Sequence, residues 1–156
     1  MTWLKASDVF VVTIDQAITV ASSQIFSAAI EEATGEQAKL VILELNTPGG
    51  FPNSTREIVS QIQNAPMPVV VYVTPAGAQA ASAGTFIVYG ADIAAMTPTT
   101  TIGAATPVNL FASAPAEQKE GEEQEKPAQD AMMAKVTNDI LAYSRGLAKQ
   151  SGRSED

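Results

Sequence analysis

Residues 39–50 read KLVILELNTPGG, and this segment decides the fold. Lys39 to Leu45 is an almost unbroken apolar run rich in Val, Ile and Leu, which predicts a buried strand. It stops at Asn46-Thr47-Pro48-Gly49-Gly50, where proline and two glycines dictate a sharp turn. Two further runs look alike: Asp8 to Ile14 (DVFVVTI) and Val69 to Val73 (VVVYV). Strands with so little polar alternation are expected in a sheet covered on both faces. Thr19 to Thr34 carries Val20, Ile25, Phe26, Ala29 and Ile30 at helical spacing, with Gly35 as its stop. Asn53 and Ser54 are candidate N-caps of a helix running to about Asn64, ended by Pro66. Ala80 to Tyr89 (AASAGTFIVY) reads as a helix of small residues. Ile93 to Met96 is a short fourth strand, and Ile102 to Val108 is consistent with extended chain. Ala128 to Gln150 is a long last helix with Met132, Met133, Val136, Ile140, Leu141 and Leu147 on its apolar side. Strand and helix alternate throughout, so the class is α/β with a mainly parallel sheet.

The chain has 156 residues, 46% hydrophobic and 17% charged. That suits a single domain with a substantial core. It contains neither cysteine nor histidine. Disulfides, thiol nucleophiles, thiolate or imidazole metal sites and a Ser-His-Asp triad are therefore excluded. Any catalysis has to come from Ser, Thr, Lys, Tyr, Asp, Glu and backbone dipoles. The net charge of −8 argues against nucleic acid as a partner, because phosphate binding needs clustered Lys and Arg. Half of that charge lies between Ala112 and Asp130, where six acidic residues face Lys119 and Lys126. Residues 112–127 have no apolar period and are expected to form a mobile surface loop. They lack the spacing of a calcium loop, and no Walker or GxGxxG pattern occurs, so neither metal nor cofactor is expected. No apolar stretch reaches the roughly 18 residues that a membrane span needs.

In parallel sheets a site lies beyond the carboxyl ends of the strands. That rule points to two turns, Asn46 to Gly50 and Thr74 to Ser82. The first is either a plain tight turn or a source of N–H groups for a developing oxyanion, with glycines admitting a ligand closely. In the second, Ser82 is flanked by Ala and Gly near a helix N-terminus. It is either a nucleophile with the Ala83 N–H as oxyanion donor, or an N-cap and packing residue. A base without histidine points to a neutral lysine. An ordinary lysine is deprotonated in only about one molecule in 2,500 at pH 7, and burial is what raises that fraction. Lys39 opens a strand at the opposite sheet edge, while Lys5, Lys119, Lys126 and Lys149 lie in the leader, the acidic loop and the tail. Lys135 is set in an apolar run, Met132-Met133-Ala134-Lys135-Val136, and two readings stay open. It is a buried base, or a solvent-facing partner of Asp139 at i, i+4. Asp92 and Asp15 read as turn or cap residues; Glu44 is an odd residue within a strand, as if facing a partner or a basic side chain.

Four segments in order now resemble one family: Leu45-Asn46-Thr47-Pro48-Gly49-Gly50, Ala80-Ala81-Ser82-Ala83-Gly84-Thr85, Ile102-Gly103-Ala104 and Lys135-Val136-Thr137-Asn138. The chain from about Asp8 to Arg153 resembles the NfeD-type membrane-bound serine proteases, the stomatin operon partner proteins. Their N-terminal domain is of the Clp protease/crotonase superfamily, a β/α superhelix. The resemblance implies a Ser-Lys dyad with Ser82 as nucleophile and Lys135 as general base. It implies an oxyanion and substrate region at Gly49, Gly50 and Ala83, with Phe51 and Pro52 where a substrate chain adds as a strand. It further implies hydrophobic peptide substrates, stomatin-type protein partners, a homodimer through the late helix or sheet edge, and an extracytoplasmic domain of a membrane-anchored protein. The segment 108–128 is long and acidic for the family, as a flexible lid would be. The membrane spans and β-barrel domain of full-length relatives are not expected within these residues. Three alternatives remain: a signal-peptide-peptidase-like Ser-Lys protease; a crotonase-type acyl-CoA enzyme, which wants carboxylates that these turns do not offer; and a non-catalytic groove for extended apolar peptides.

Overall fold

The computed structural model describes residues 4–6, 8–105 and 126–153. The acidic stretch expected to be a loop lies, up to residue 125, outside the described residues, as does the end of the segment 102–108. Five strands form the main sheet in the order β1 (Leu4–Ala6), β2 (Val9–Asp15), β3 (Leu40–Asn46), β4 (Val69–Val73) and β6 (Ile93–Met96). Only the β1–β2 pair is antiparallel. The parallel register sets Val11 against Ile42 and Ile42 against Val70. A second, two-stranded sheet pairs β5 (Gln79–Ala81) with β7 (Thr101–Gly103) in parallel.

The helices are α1 (Val20–Gly35), α2 (Pro52–Asn64), α3 (Ala83–Gly90) and α4 (Lys126–Gln150). Helix α1 begins on a reciprocal cap in which Thr19 and Ser22 bond each other's backbone N–H, a motif that satisfies two otherwise orphaned donors. Helix α2 begins one residue earlier than the caps expected at Asn53 and Ser54. Pro52 takes its first position and Phe51 its N-cap, because proline's fixed φ suits that place and it has no N–H to leave unbonded. The expected helix from Ala80 begins only at Ala83, since Gln79–Ala81 pairs with Thr101–Gly103 as a strand.

The α/β class and the mainly parallel sheet are as expected; coverage of both sheet faces is not. Along β2, β3 and β4, fully buried residues alternate with half-exposed ones. Phe10, Val12, Ile14, Val41, Leu43, Leu45, Val69, Val71 and Val73 pack with Phe26, Ile58, Ile87 and other helix residues into one core. The strand order advances in one direction from β2 to β6. Right-handed crossovers, the near-universal hand, then bring every crossover helix to the same side. The opposite face, with Val11, Ile42, Val70 and Tyr72, is only partly covered among the described residues. The sequence looks continuous because that face is also mostly apolar. Its polar residues are paired: Thr13 donates to Glu44 at 3.0 Å, and Asn46 to Asp15 at 2.7 Å.

Candidate active site

Beyond the carboxyl end of β3 the chain must leave the sheet at once, and Thr47 controls how. Thr47 is fully buried. Its Oγ1 accepts from the Gly49 N–H and donates to the Gly49 carbonyl, both at 3.1 Å. Its own N–H donates to Gln79 O at 2.7 Å, and its carbonyl accepts from Ala81 N at 3.0 Å. The two turns singled out in the sequence are thus bonded to one another. On the far side Gly50 bridges to Ile18, with Ile18 N donating to Gly49 O at 2.8 Å and Phe51 N to Ile18 O at 2.9 Å.

Ser82 stands between β5 and α3 with φ 51° and ψ −110°. A non-glycine residue there is strained by about 1–3 kcal/mol, and such outliers gather at functional sites. The sharp strand–serine–helix turn is the geometry of a nucleophile elbow, which exposes the hydroxyl above the sheet. It needs small neighbours two residues to either side. Ala80 and Gly84 provide them: a Cβ on Gly84 would come 3.2 Å from the Ala80 Cβ and 2.8 Å from Thr47 Cγ2. As the N-cap of α3, Ser82 makes no side-chain capping bond, so the packing-and-capping reading of this serine loses half its support. Its N–H donates to Gly103 O at 2.8 Å, which also accepts from Thr85 Oγ1 at 2.9 Å.

Of the candidate oxyanion donors, the Gly49 N–H is occupied by Thr47. Gly49 faces Ser82 directly, since a Cβ there would lie 2.8 Å from the Ser82 Cβ. The N–H groups of Gly50 and Ala83 have no partner among the described residues. Both residues line a cavity with Ser82, Pro52, Thr55 and Phe86. Arg56 and Tyr143 complete the wall. Phe51 flanks this cavity without lining it and is 62% exposed.

The other wall comes from α4. The Arg56 guanidinium lies 4.4 Å over the Tyr143 ring and bonds Asp139 at 2.7 Å. The Tyr143 ring contacts Phe86 with centroids 5.7 Å apart. Burial pushes the Tyr143 phenol above its ordinary pKa of 10, with Arg56 partly opposing. Past it, Leu147 and Ala148 are buried, and Ser151 and Arg153 bond Tyr89 O. Lys135 is exposed and does not line the cavity. It precedes Tyr143 by eight residues, about 12 Å along a helix axis. Nor does it hold Asp139, which is paired with Arg56. Lys135 thus faces solvent, as the second reading expected, but without Asp139 as its partner. Ser82, Gly49, Gly50 and Ala83 are brought together; Phe51 is at the rim and Lys135 away from it.

Thr47, Thr55, Arg56, Phe86 and Tyr143 were not singled out in the sequence. Arg56 had a signal, being the sole cation of α2. The Tyr143 position had none, because its partners lie on α2 and α3.

Among the described residues no helix is long and apolar enough to cross a membrane. The family described as NfeD1b, N-terminal domain, matches residues 8–151. The membrane-bound protease PH1510 of Pyrococcus horikoshii is 38% identical over 151 residues, 97% of this chain and 32% of its own length. The membrane protein NfeD1b of Bacillus subtilis is 32% identical over 101 residues, 65% of this chain and 22% of its own. This chain thus spans about a third or less of these relatives. Among solved structures, a serine-to-alanine mutant of the 1510-N membrane-bound stomatin-specific protease superposes with a TM-score of 0.77 at 37% identity, over 97% of this chain and 68% of that one. A lysine-to-alanine mutant of the same protease, in complex with a substrate peptide, gives 0.78 at 35% identity, over 97% and 64%. With a family match over nearly its whole length and a fold shared with these structures, the chain belongs to the NfeD1b N-terminal domain family.

Proposed function

We propose that this domain is a serine endopeptidase in which Ser82 and Lys135 act as a dyad, cleaving hydrophobic segments of membrane-associated proteins, stomatin homologues among them. The observation that carries this reading is Ser82 held in a strained elbow beside two N–H groups with no partner among the described residues, in an otherwise largely apolar cavity. That arrangement suits attack on a carbonyl and poorly suits a structural serine. Named relatives support the reaction class, because PH1510 is a protease and 1510-N is a stomatin-specific one.

In the reaction Ser82 Oγ attacks a peptide carbonyl and passes its proton to Lys135. The oxyanion is received by the Gly50 and Ala83 N–H groups. Protonated Lys135 then gives its proton to the leaving amine, and a water activated by the same lysine hydrolyses the acyl-enzyme. Lys135 has to approach Ser82 for these steps, so substrate seating is coupled to a displacement of α4 before Asp139, while Tyr143 keeps its place. Phe51, at the cavity rim, supports the incoming chain. The domain acts on the extracytoplasmic side of a membrane-anchored protein and as a homodimer through α4 or a sheet edge.

Exposure of Lys135 favours one other reading, a groove that binds extended apolar peptides without cutting them. Turnover of an apolar fluorogenic peptide from pH 6 to 10 separates the two. The dyad predicts loss by orders of magnitude in Ser82→Ala and in Lys135→Ala, both still folded. Peptide binding without turnover in the parent supports the receptor instead. Full activity in Lys135→Ala removes that lysine from the mechanism.

A further inference from the structure

The cavity beside Ser82 is small. Its volume is about 60 Å³, well under half of the roughly 150 Å³ that holds a benzene ring in an apolar protein cavity. Tyr143 lines it together with Ser82. Its ring packs against Phe86 and under the Arg56 guanidinium, which is in turn tied to Asp139 at 2.7 Å. These contacts oppose displacement of the ring by a bulky group. The charge of Arg56 is already answered by Asp139, so the wall offers no free cation to an acidic side chain. Pro52, Thr55 and Phe86 make the rest of the surface mainly apolar.

We infer that Tyr143 is the specificity-determining residue of this site. It limits the side chain of the substrate residue that acylates Ser82 to the size of alanine or valine, and it excludes aromatic residues. The inference rests on the protease reading and adds to it a substrate class and the residue that sets it. Pocket shape of this kind discriminates by about 10- to 200-fold per methylene-scale difference.

The test uses 4-nitrophenyl esters of N-acetyl-alanine, -valine and -phenylalanine. These acylate a competent serine and release nitrophenolate without needing an amine leaving group to be protonated. The parent is expected to release nitrophenolate from the alanine and valine esters at least about tenfold faster than from the phenylalanine ester. Ser82→Ala is expected to release none above background. Tyr143→Ala should raise the ratio of the phenylalanine rate to the alanine rate about tenfold or more. Tyr143→Leu keeps an apolar side chain against α3 and should shift the ranking part of the way. Equal rates for the alanine and phenylalanine esters in the parent overturn the inference while leaving the nucleophile intact. So does an unchanged ranking in a Tyr143 variant with the parent's circular dichroism. The absence of Ser82-dependent release from every ester overturns the protease reading itself, and the inference with it.

Discussion

Replacing Gly50 by alanine is the sharpest structural perturbation that the site allows. A Cβ built on Gly50 falls 2.1 Å from the Ile18 carbonyl oxygen, 2.5 Å from its nitrogen and 2.7 Å from its carbonyl carbon. All three are backbone atoms, so no side chain can give way. The bridge has to open, and two hydrogen bonds go with it: Ile18 N to Gly49 O and Phe51 N to Ile18 O. Each is worth about 0.5–1.5 kcal/mol net. With displacement of the turn, the cost is about 2–4 kcal/mol. A domain of this size loses about 2–4 °C of Tm per kcal/mol, so thermal unfolding by circular dichroism should show a fall on the order of 10 °C. Because the Gly50 N–H is one of two donors beside Ser82 with no partner among the described residues, activity below the new Tm should also fall about 100-fold or more. Gly146→Ala is the control, since nothing lies within 4 Å of a Cβ there. A Gly50→Ala protein that melts within about 2 °C of the parent and keeps its activity would refute the close approach of this turn to Ile18.

Three other outcomes follow from the same geometry. Gly146 sits inside α4, so Gly146→Ala should gain about 0.5–1 kcal/mol in denaturant unfolding; a loss would mean that the helix needs its freedom there. Ser82→Gly should gain up to about 1 kcal/mol by relieving the positive φ while Ser82→Ala gains none from that source, and equal stabilities would argue against strain at the elbow. The raised Tyr143 pKa has a sign that can be checked. Above pH 10 the unfolded phenol ionises before the folded one, so its stabilising contribution is complete below that pH and is lost as the pH climbs towards the folded value. Tyr143→Phe should flatten the decline in stability above pH 10, and an unchanged slope would contradict burial of the phenol.

Strands β2, β3 and β4 were legible because each is an apolar run ended by turn residues, and Asp92 does serve as a cap, accepting from Val69 N at 2.8 Å. Strand β5 was not. Gln-Ala-Ala has helical propensity, and only pairing with residues 101–103 and with Thr47, distant in sequence, holds it extended. The uneven coverage of the two sheet faces among the described residues was hidden as well, because the half-buried row of Val11, Ile42 and Val70 is as apolar as the buried one. At the site, Ser82, Ala83, Gly49 and Gly50 were found by one topological rule, that sites lie beyond the carboxyl ends of parallel strands. Arg56 and Tyr143 escaped it because they meet across α2 and α4, elements far apart in the chain. Lys135 was reached through the resemblance, and with its exposed position the proposed dyad requires α4 to move.

The most direct measurement is reaction of the folded protein with an alkyl fluorophosphonate, followed by mass spectrometry of the intact chain and of its peptides. The account predicts one adduct, on Ser82, formed in the parent and absent in Ser82→Ala. Labelling of another serine, or no adduct under conditions that label an authentic serine protease, would contradict Ser82 as the nucleophile.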